Sequence, residues 1–213
     1  MYKNYLFDLD GTLLPMDMEY FTKLYFSSLC KRFVPVLNVD SDTLVKAIWK
    51  GTGAMTKNDN TRKNKDVFWE VASSECGMDL TPYIEQFDDY YTKEFIAAKE
   101  ATSFTPFAKK SVDFIKQNGG RVIAATNPIF PEVATRRRLE WAGVSADDFD
   151  GSNLKLLDSQ KSTGIVSSNR NSVTPDTINK GETVNYQIGV GYYHTGDKAY
   201  IGIGNQQWSG KLN

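Results

Sequence analysis

The sequence predicts an α/β protein: a doubly wound, Rossmann-like core with an inserted helical cap and a β-rich C-terminal segment. Three observations predict it. The apolar run Tyr5-Leu6-Phe7 stops abruptly at Asp8, as a buried parallel strand does, because such strands are apolar on both faces. A long stretch of helical spacing follows, and a strand-then-helix pattern returns after it. Beyond about residue 150 the texture changes to polar sequence and then to strict apolar alternation.

Each element has its own signal. Phe21, Leu24, Tyr25, Leu29 and Phe33 fall at helical steps over Tyr20 to Phe33. Further helical patches cover Thr43 to Lys50 and Val67 to Cys76, with a polar loop from Gly51 to Asp66 between them. A single helix is expected from Pro82 to Ala98, where Tyr83, Phe87, Tyr90, Tyr91 and Phe95 recur at steps of three and four. Pro106 suits a helix start, and Gly119-Gly120 a stop. Arg121 to Ala125 reads as a second strand, followed by a helix from Glu132 to Ala142 that closes on Gly143. Residues 1–16 and 102–150 would then form the core, 17–101 the helical insertion, and 151–213 an atypical segment. In that last segment Val184, Tyr186, Ile188, Val190 and Tyr192 alternate, as do Ala199, Ile201 and Ile203 across a turn, which is a hairpin signal.

Composition narrows the function classes. The chain has 213 residues, 40% hydrophobic and 13% aromatic, and a formal net charge of −1. It lacks the basic surplus of a nucleic-acid binder. Two cysteines, Cys30 and Cys76, are too few for a disulfide scaffold. No apolar run approaches the ~20 residues of a membrane span, and charged Asp8 arrives where the apolar part of a signal peptide would lie. A cytoplasmic enzyme without nucleic-acid or membrane partners is the expectation, as a monomer or homodimer.

The chemistry concentrates at two strand ends. Asp8-Leu9-Asp10-Gly11-Thr12 follows the first strand, and ligands of open α/β sheets bind outside such ends. Gly11 lets the chain turn sharply beside a ligand. One aspartate can attack phosphorus while the other handles protons. Repulsion between carboxylate and phosphate must be screened, which a hard cation such as Mg²⁺ does while binding a few carboxylates, waters and phosphate oxygens. Thr126-Asn127-Pro128 occupies the equivalent place after the second strand. A threonine hydroxyl, free N–H groups and a helix N-terminus there suit phosphate oxygens.

Phe7-Asp8-Leu9-Asp10-Gly11-Thr12-Leu13 resembles the first signature of the haloacid dehalogenase superfamily, and Ala125-Thr126-Asn127-Pro128 its second. The helical insertion is similar to that family's cap. The resemblance spans residues 1 to about 150. It implies a Mg²⁺-dependent phosphatase acting on a small phosphorylated molecule. Asp8 would be nucleophile and metal ligand. Asp10 would be general acid/base, giving its backbone carbonyl to the metal. Thr126 and Asn127 would bind the phosphoryl group. Asn58, Asn60, Thr61 and Arg62 of the polar loop would help select the substrate.

The family's later elements, a lysine and an acidic pair, have weak counterparts. Lys155 and Lys161 are the nearest downstream lysines, and both read better as surface residues. Gly196-Asp197 follows an apolar run but lacks a second acid, so Asp197 fits a hairpin turn better. His194, the only histidine, lies in the same turn. Trp49, Trp69, Trp141 and Trp208 read as packing residues. The last sixty residues are either a divergent end of the core or an unrelated β segment. The alternative function is a catalytically incomplete scaffold that binds a partner through its β-rich C-terminus.

Overall fold

The computed structural model describes residues 4–58, 61–127, 129–150, 190–195 and 198–203. β1 (Asn4–Phe7) leads into four α-helices: α1 (Met18–Leu37), α2 (Ser41–Thr56), α3 (Asn64–Cys76) and α4 (Ile84–Thr92). A 3-10 helix (Glu94–Ala101) and α5 (Pro106–Gln117) precede β2 (Arg121–Ala124), which leads into α6 (Glu132–Trp141). The remaining described strands are β3 (Val190–Thr195) and β4 (Lys198–Ile203). The sheet order is β2-β1-β4-β3, with β1 parallel to β2 and β4, and β3 antiparallel to β4.

This corrects the expected doubly wound core. Such a fold alternates strand and helix, with helices on both sheet faces. Here five α-helices stand between β1 and β2, and β1 and β2 are four residues each. Among the described residues α6 and a short 3-10 helix (Ala146–Asp148) follow β2 before an antiparallel pair completes the sheet, and helix dominates. Short apolar runs around the Asp8 and Thr126 motifs suggested a larger parallel sheet than the described residues form. Of the expected β-rich segment, 151–213, β3 and β4 are the described part.

The helices follow from local chemistry. Asp17 caps α1 by accepting from the Tyr20 N–H at 2.9 Å, and Asn38 at φ 54° ends it. Phe21, Tyr25, Leu29, Phe33 and Leu37 recur every four residues and are all buried, forming the stripe that faces the core. Asp40 caps α2 through the Thr43 N–H at 2.7 Å. α2 runs to Thr56 and α3 starts at Asn64, so the polar loop is shorter than its composition suggests. A Cβ on Gly51 would stand 2.7 Å from the Phe68 ring, so α2 and α3 approach closely only with glycine there.

The helix expected from Pro82 to Ala98 divides at Lys93, where ψ is −77°. Beyond it the buried residues are Phe95, Ala98 and Ala101. A step of three eclipses side chains along a 3-10 helix, whereas along an α-helix a repeated step of three drifts around the axis. Arg32 of α1 binds Asp89 at 3.1 Å and Glu94 at 2.7 Å, tying together both sides of that break. The helical stretch leaves and returns side by side: the Asp17 N–H donates to Ala101 at 2.9 Å and the Ser103 N–H to Pro15 at 2.8 Å. No helix among the described residues is long and apolar enough to cross a membrane.

Phe33 and Phe87 stack with centroids 3.8 Å apart and planes at 7°. Phe33→Ala is expected to cost roughly 3–5 kcal/mol, whereas Ile96→Ala, at a half-exposed position, should stay within about 0.5 kcal/mol. Urea unfolding of both variants checks this contrast.

Candidate active site

The parallel pairing of β1 with β2 sets Phe7 beside Ala124, and the Ala125 N–H donates to the Phe7 carbonyl at 2.7 Å. Asp8 and Thr126 therefore leave the sheet at the same edge. Both are buried, at 8% and 2% exposure. After Asp8 the chain turns back tightly. The Gly11 N–H donates to Leu14 at 2.8 Å and the Leu14 N–H to Leu9 at 2.9 Å, with Gly11 at φ 77°. That positive φ is why glycine serves there. Leu9 and Leu14 are fully buried and anchor the turn.

The Thr12 hydroxyl donates to Asp8 Oδ2 at 3.3 Å. Burial pushes the Asp8 carboxyl up to about 7, and the neighbouring Asp10 charge adds to the rise. The Leu9 N–H, the Thr12 hydroxyl and Arg138 pull the other way. Asp10 Oδ2 pairs with Arg138 Nη1, while Asp10 Oδ1 is buried without a hydrogen-bond partner in the structure.

Arg138 was not legible as a site residue, although a signal existed. It belongs to Arg136-Arg137-Arg138 on α6, and it is the arginine that shares a face with Ala134, Thr135 and Leu139. A charge on the apolar face of a helix requires a buried partner. Arg138 is 1% exposed. Its Nε donates to the Ala134 carbonyl at 3.3 Å and its Nη2 to the Thr135 hydroxyl at 3.2 Å. Its guanidinium lies over the Phe130 ring at 4.5 Å from the centroid, a cation–π contact.

Whether these residues suit Mg²⁺ can be judged from their donors. Asp8 and Asp10 offer hard carboxylate oxygens, and Asp10 Oδ1 is an acceptor with nothing to accept from. Mg²⁺ is commonly held by one or two carboxylates together with waters and phosphate oxygens, so the donor set fits. Among the described residues no cluster of three or more His, Cys, Asp or Glu side chains forms.

The other expected residues separate. Asn58 donates to the Arg62 carbonyl and to Asn64 Oδ1, both at 2.8 Å, and Arg62 pairs with Glu70 at 2.6 Å. These two side chains are engaged within their own loop and α3. Thr61 lies on the same loop. Asn127 follows Thr126 half-buried, and its carbonyl accepts from the Ile129 N–H at 2.9 Å. His194 lies on β3 opposite Ala199. Trp141 is buried, whereas Trp49 is 53% exposed. Asn60, Pro128, Lys155, Lys161, Gly196, Asp197 and Trp208 lie outside the described residues.

Comparison with family models found no match, nor did comparisons with curated proteins and with solved structures.

Two predictions arise from this electrostatics. The folded chain keeps the Asp8 proton up to about pH 7, whereas an ordinary aspartate loses it near 3.8. Folding therefore retains an extra proton between those values, and stability falls as pH rises through the window. With chelator present, the wild type should lose on the order of a few kcal/mol across it relative to Asp8→Asn, read from urea midpoints at each pH. Arg138→Met leaves Asp10 without its counter-charge and should cost roughly 3–5 kcal/mol. The double variant with Asp10→Asn should recover part of that loss, giving a non-additive double-mutant cycle.

Proposed function

We propose that the chain is a Mg²⁺-dependent phosphatase that hydrolyses a phosphate monoester through an aspartyl-phosphate. The observation that carries this reading is the common sheet edge on which buried Asp8 and Thr126 emerge, with partly buried Asp10 in the turn beside them and Arg138 fixing one of its oxygens. The resemblance of both motifs to the haloacid dehalogenase superfamily supports it.

The proton that Asp8 holds in the resting chain passes to Asp10 Oδ1, ionised Asp8 attacks phosphorus in line, and the ester oxygen leaves with that proton. Asp10 then takes a proton from the water that opens the aspartyl-phosphate, so a single residue serves as acid and then as base. The Arg138 contact holds Oδ2, which leaves Oδ1 as the atom for this proton traffic. The Thr126 hydroxyl and the backbone N–H groups beyond β2 bind phosphoryl oxygens. Bound Mg²⁺ would supply charge screening between Asp8 and the phosphate and favour the ionised carboxylate.

A second reading has its own observation. Arg138 neutralises Asp10, and no third acidic, His or Cys ligand joins the two aspartates among the described residues. That state of affairs suits a non-catalytic phosphatase-like scaffold. Magnesium distinguishes the two, since a competent site is stabilised by about 2.7 kcal/mol at a hundredfold excess over Kd.

Hydrolysis of 4-nitrophenyl phosphate should require Mg²⁺, vanish in Asp8→Asn, and fall about 10²–10⁴-fold in Asp10→Asn. Turnover retained by Asp8→Asn would exclude the mechanism. A folded wild type with neither turnover nor a Mg²⁺-induced rise in Tm would favour the scaffold.

A further inference from the structure

Phe130 stands between the helical stretch and the aspartate turn. Its ring lies 6.4 Å from Phe21, 5.5 Å from Tyr25, 6.4 Å from Tyr91 and 6.0 Å from Phe95, measured between centroids. The first three pairs are set edge to face, at 85°, 76° and 90°, the arrangement aromatic rings prefer. All four partners are buried, and they belong to α1, α4 and the 3-10 helix after it. The Tyr25 and Tyr91 hydroxyls pair with each other at 2.9 Å, and Phe95 stacks on Trp141 of α6 at 5.3 Å. A ring packed among four such neighbours has little freedom to tilt.

Arg138 lies over that ring, its guanidinium carbon 4.5 Å from the centroid. Stacking on a ring face fixes the plane of a guanidinium as well as its distance. The Ala134 carbonyl and the Thr135 hydroxyl, at 3.3 and 3.2 Å, come from Arg138's own helix and move with it. The Phe130 ring is anchored in the helical stretch instead. Arg138 Nη1 holds Asp10 Oδ2, and Asp10 Oδ1 is left buried without a partner. The two oxygens of one carboxylate are rigidly related, so whatever sets the guanidinium plane also sets where Oδ1 points.

We propose that Phe130 is a positioning residue for proton transfer at Asp10, and that the helical stretch is the frame against which this acid is aimed. The proposal rests on the phosphatase reading. During attack Asp8 bonds to phosphorus, the bond from phosphorus to the ester oxygen breaks, and that oxygen takes its proton from Asp10 Oδ1. Such a transfer needs heavy atoms within about 2.6–3.2 Å, and a misplacement of about 1 Å can cost a hundredfold in rate. Without the ring face the guanidinium keeps its charge and loses its plane. Phe130 is half-buried, at the wall of a cleft of about 1180 Å³ rich in aromatic residues, between α1–α4 and the segment from Ile129 into α6. Phe130→Leu therefore opens onto that cleft and leaves no sealed cavity, and the variant should stay folded.

Hydrolysis of phenyl phosphate and of 4-nitrophenyl phosphate with Mg²⁺ tests the proposal, with folding checked by urea midpoints. The ratio kcat/KM reports the attack half of the reaction, up to departure of the ester oxygen. Phenoxide is a strong base and needs the proton, whereas 4-nitrophenoxide leaves nearly without it. Phe130→Leu should lower kcat/KM about tenfold or more for phenyl phosphate and less than about threefold for 4-nitrophenyl phosphate. Phe130→Tyr, which restores a ring face, should recover most of the loss. Arg138→Lys, which keeps the charge and gives up the plane, should show the same contrast between esters. In an Asp10→Asn background Phe130→Leu should cost less than about twofold more, because the group it aims is gone. Equal losses on both esters, the same loss with and without Asp10, or wild-type rates in both Phe130→Leu and Arg138→Lys would overturn the proposal and leave the phosphatase reading standing. A folded wild type that hydrolyses neither ester with Mg²⁺ overturns the phosphatase reading and this proposal with it.

Discussion

A guanidinium buried to 1% exposure must find a counter-charge, and Arg138 finds it in Asp10, 128 residues earlier in the chain. Removing two charges from water is costly unless their geometry and remaining hydrogen bonds compensate. Arg138 meets that condition through the Ala134 carbonyl, the Thr135 hydroxyl and the Phe130 face. The pair therefore constrains three things together: the docking of α6, the path of the turn after β1, and the orientation of Asp10. The aspartate motif is held to the body of the protein by an ion pair as well as by its own hydrogen bonds.

The two acids are treated differently as a result. Asp10 faces a permanent cation. Asp8 faces burial, a threonine hydroxyl and a neighbouring negative charge, and it holds its proton up to about 7. Two carboxylates two residues apart thus occupy distinct electrostatic environments. In the proposed reaction the proton that Asp8 holds must lie on Asp10 instead, so the resting arrangement is the reverse of the one that attacks phosphorus.

Much of this was legible in residues. Pro106 announces the first turn of its helix, and the helical spacing from Phe21 to Phe33 the buried face of α1. The strands at Tyr5–Phe7 and Arg121–Ala124 were readable from apolar runs that stop at Asp8 and before Thr126. The sheet architecture was not, because two four-residue strands carry the same local pattern whether or not more βα units surround them. The break at Lys93 was missed because a step of three, as in Phe95, Ala98 and Ala101, is compatible with one face of an α-helix over a short window. Arg138 was missed because a run of three arginines resembles a solvated face until the helix phase is known. The aromatic cleft was invisible for a related reason. Its aromatic residues come from α1, α2, α3 and α4 and the segment before α6, and nothing in linear spacing distinguishes a wall from a core.

The paired exits of the helical stretch have a topological meaning. Pro15 and Ser103 are joined by one hydrogen bond, and Asp17 and Ala101 by another, so everything between them begins and ends at nearly one point. To the rest of the chain that stretch is a closed loop. The entropy of closing a loop changes by only about 0.6 kcal/mol for each doubling of its length. By closure entropy alone, the length of chain hung from that gateway matters little to the strand-end motifs. Packing sets the limit instead: Phe130, which carries Arg138, rests on Tyr25, Tyr91 and Phe95 of that stretch, so its length can vary only away from those residues.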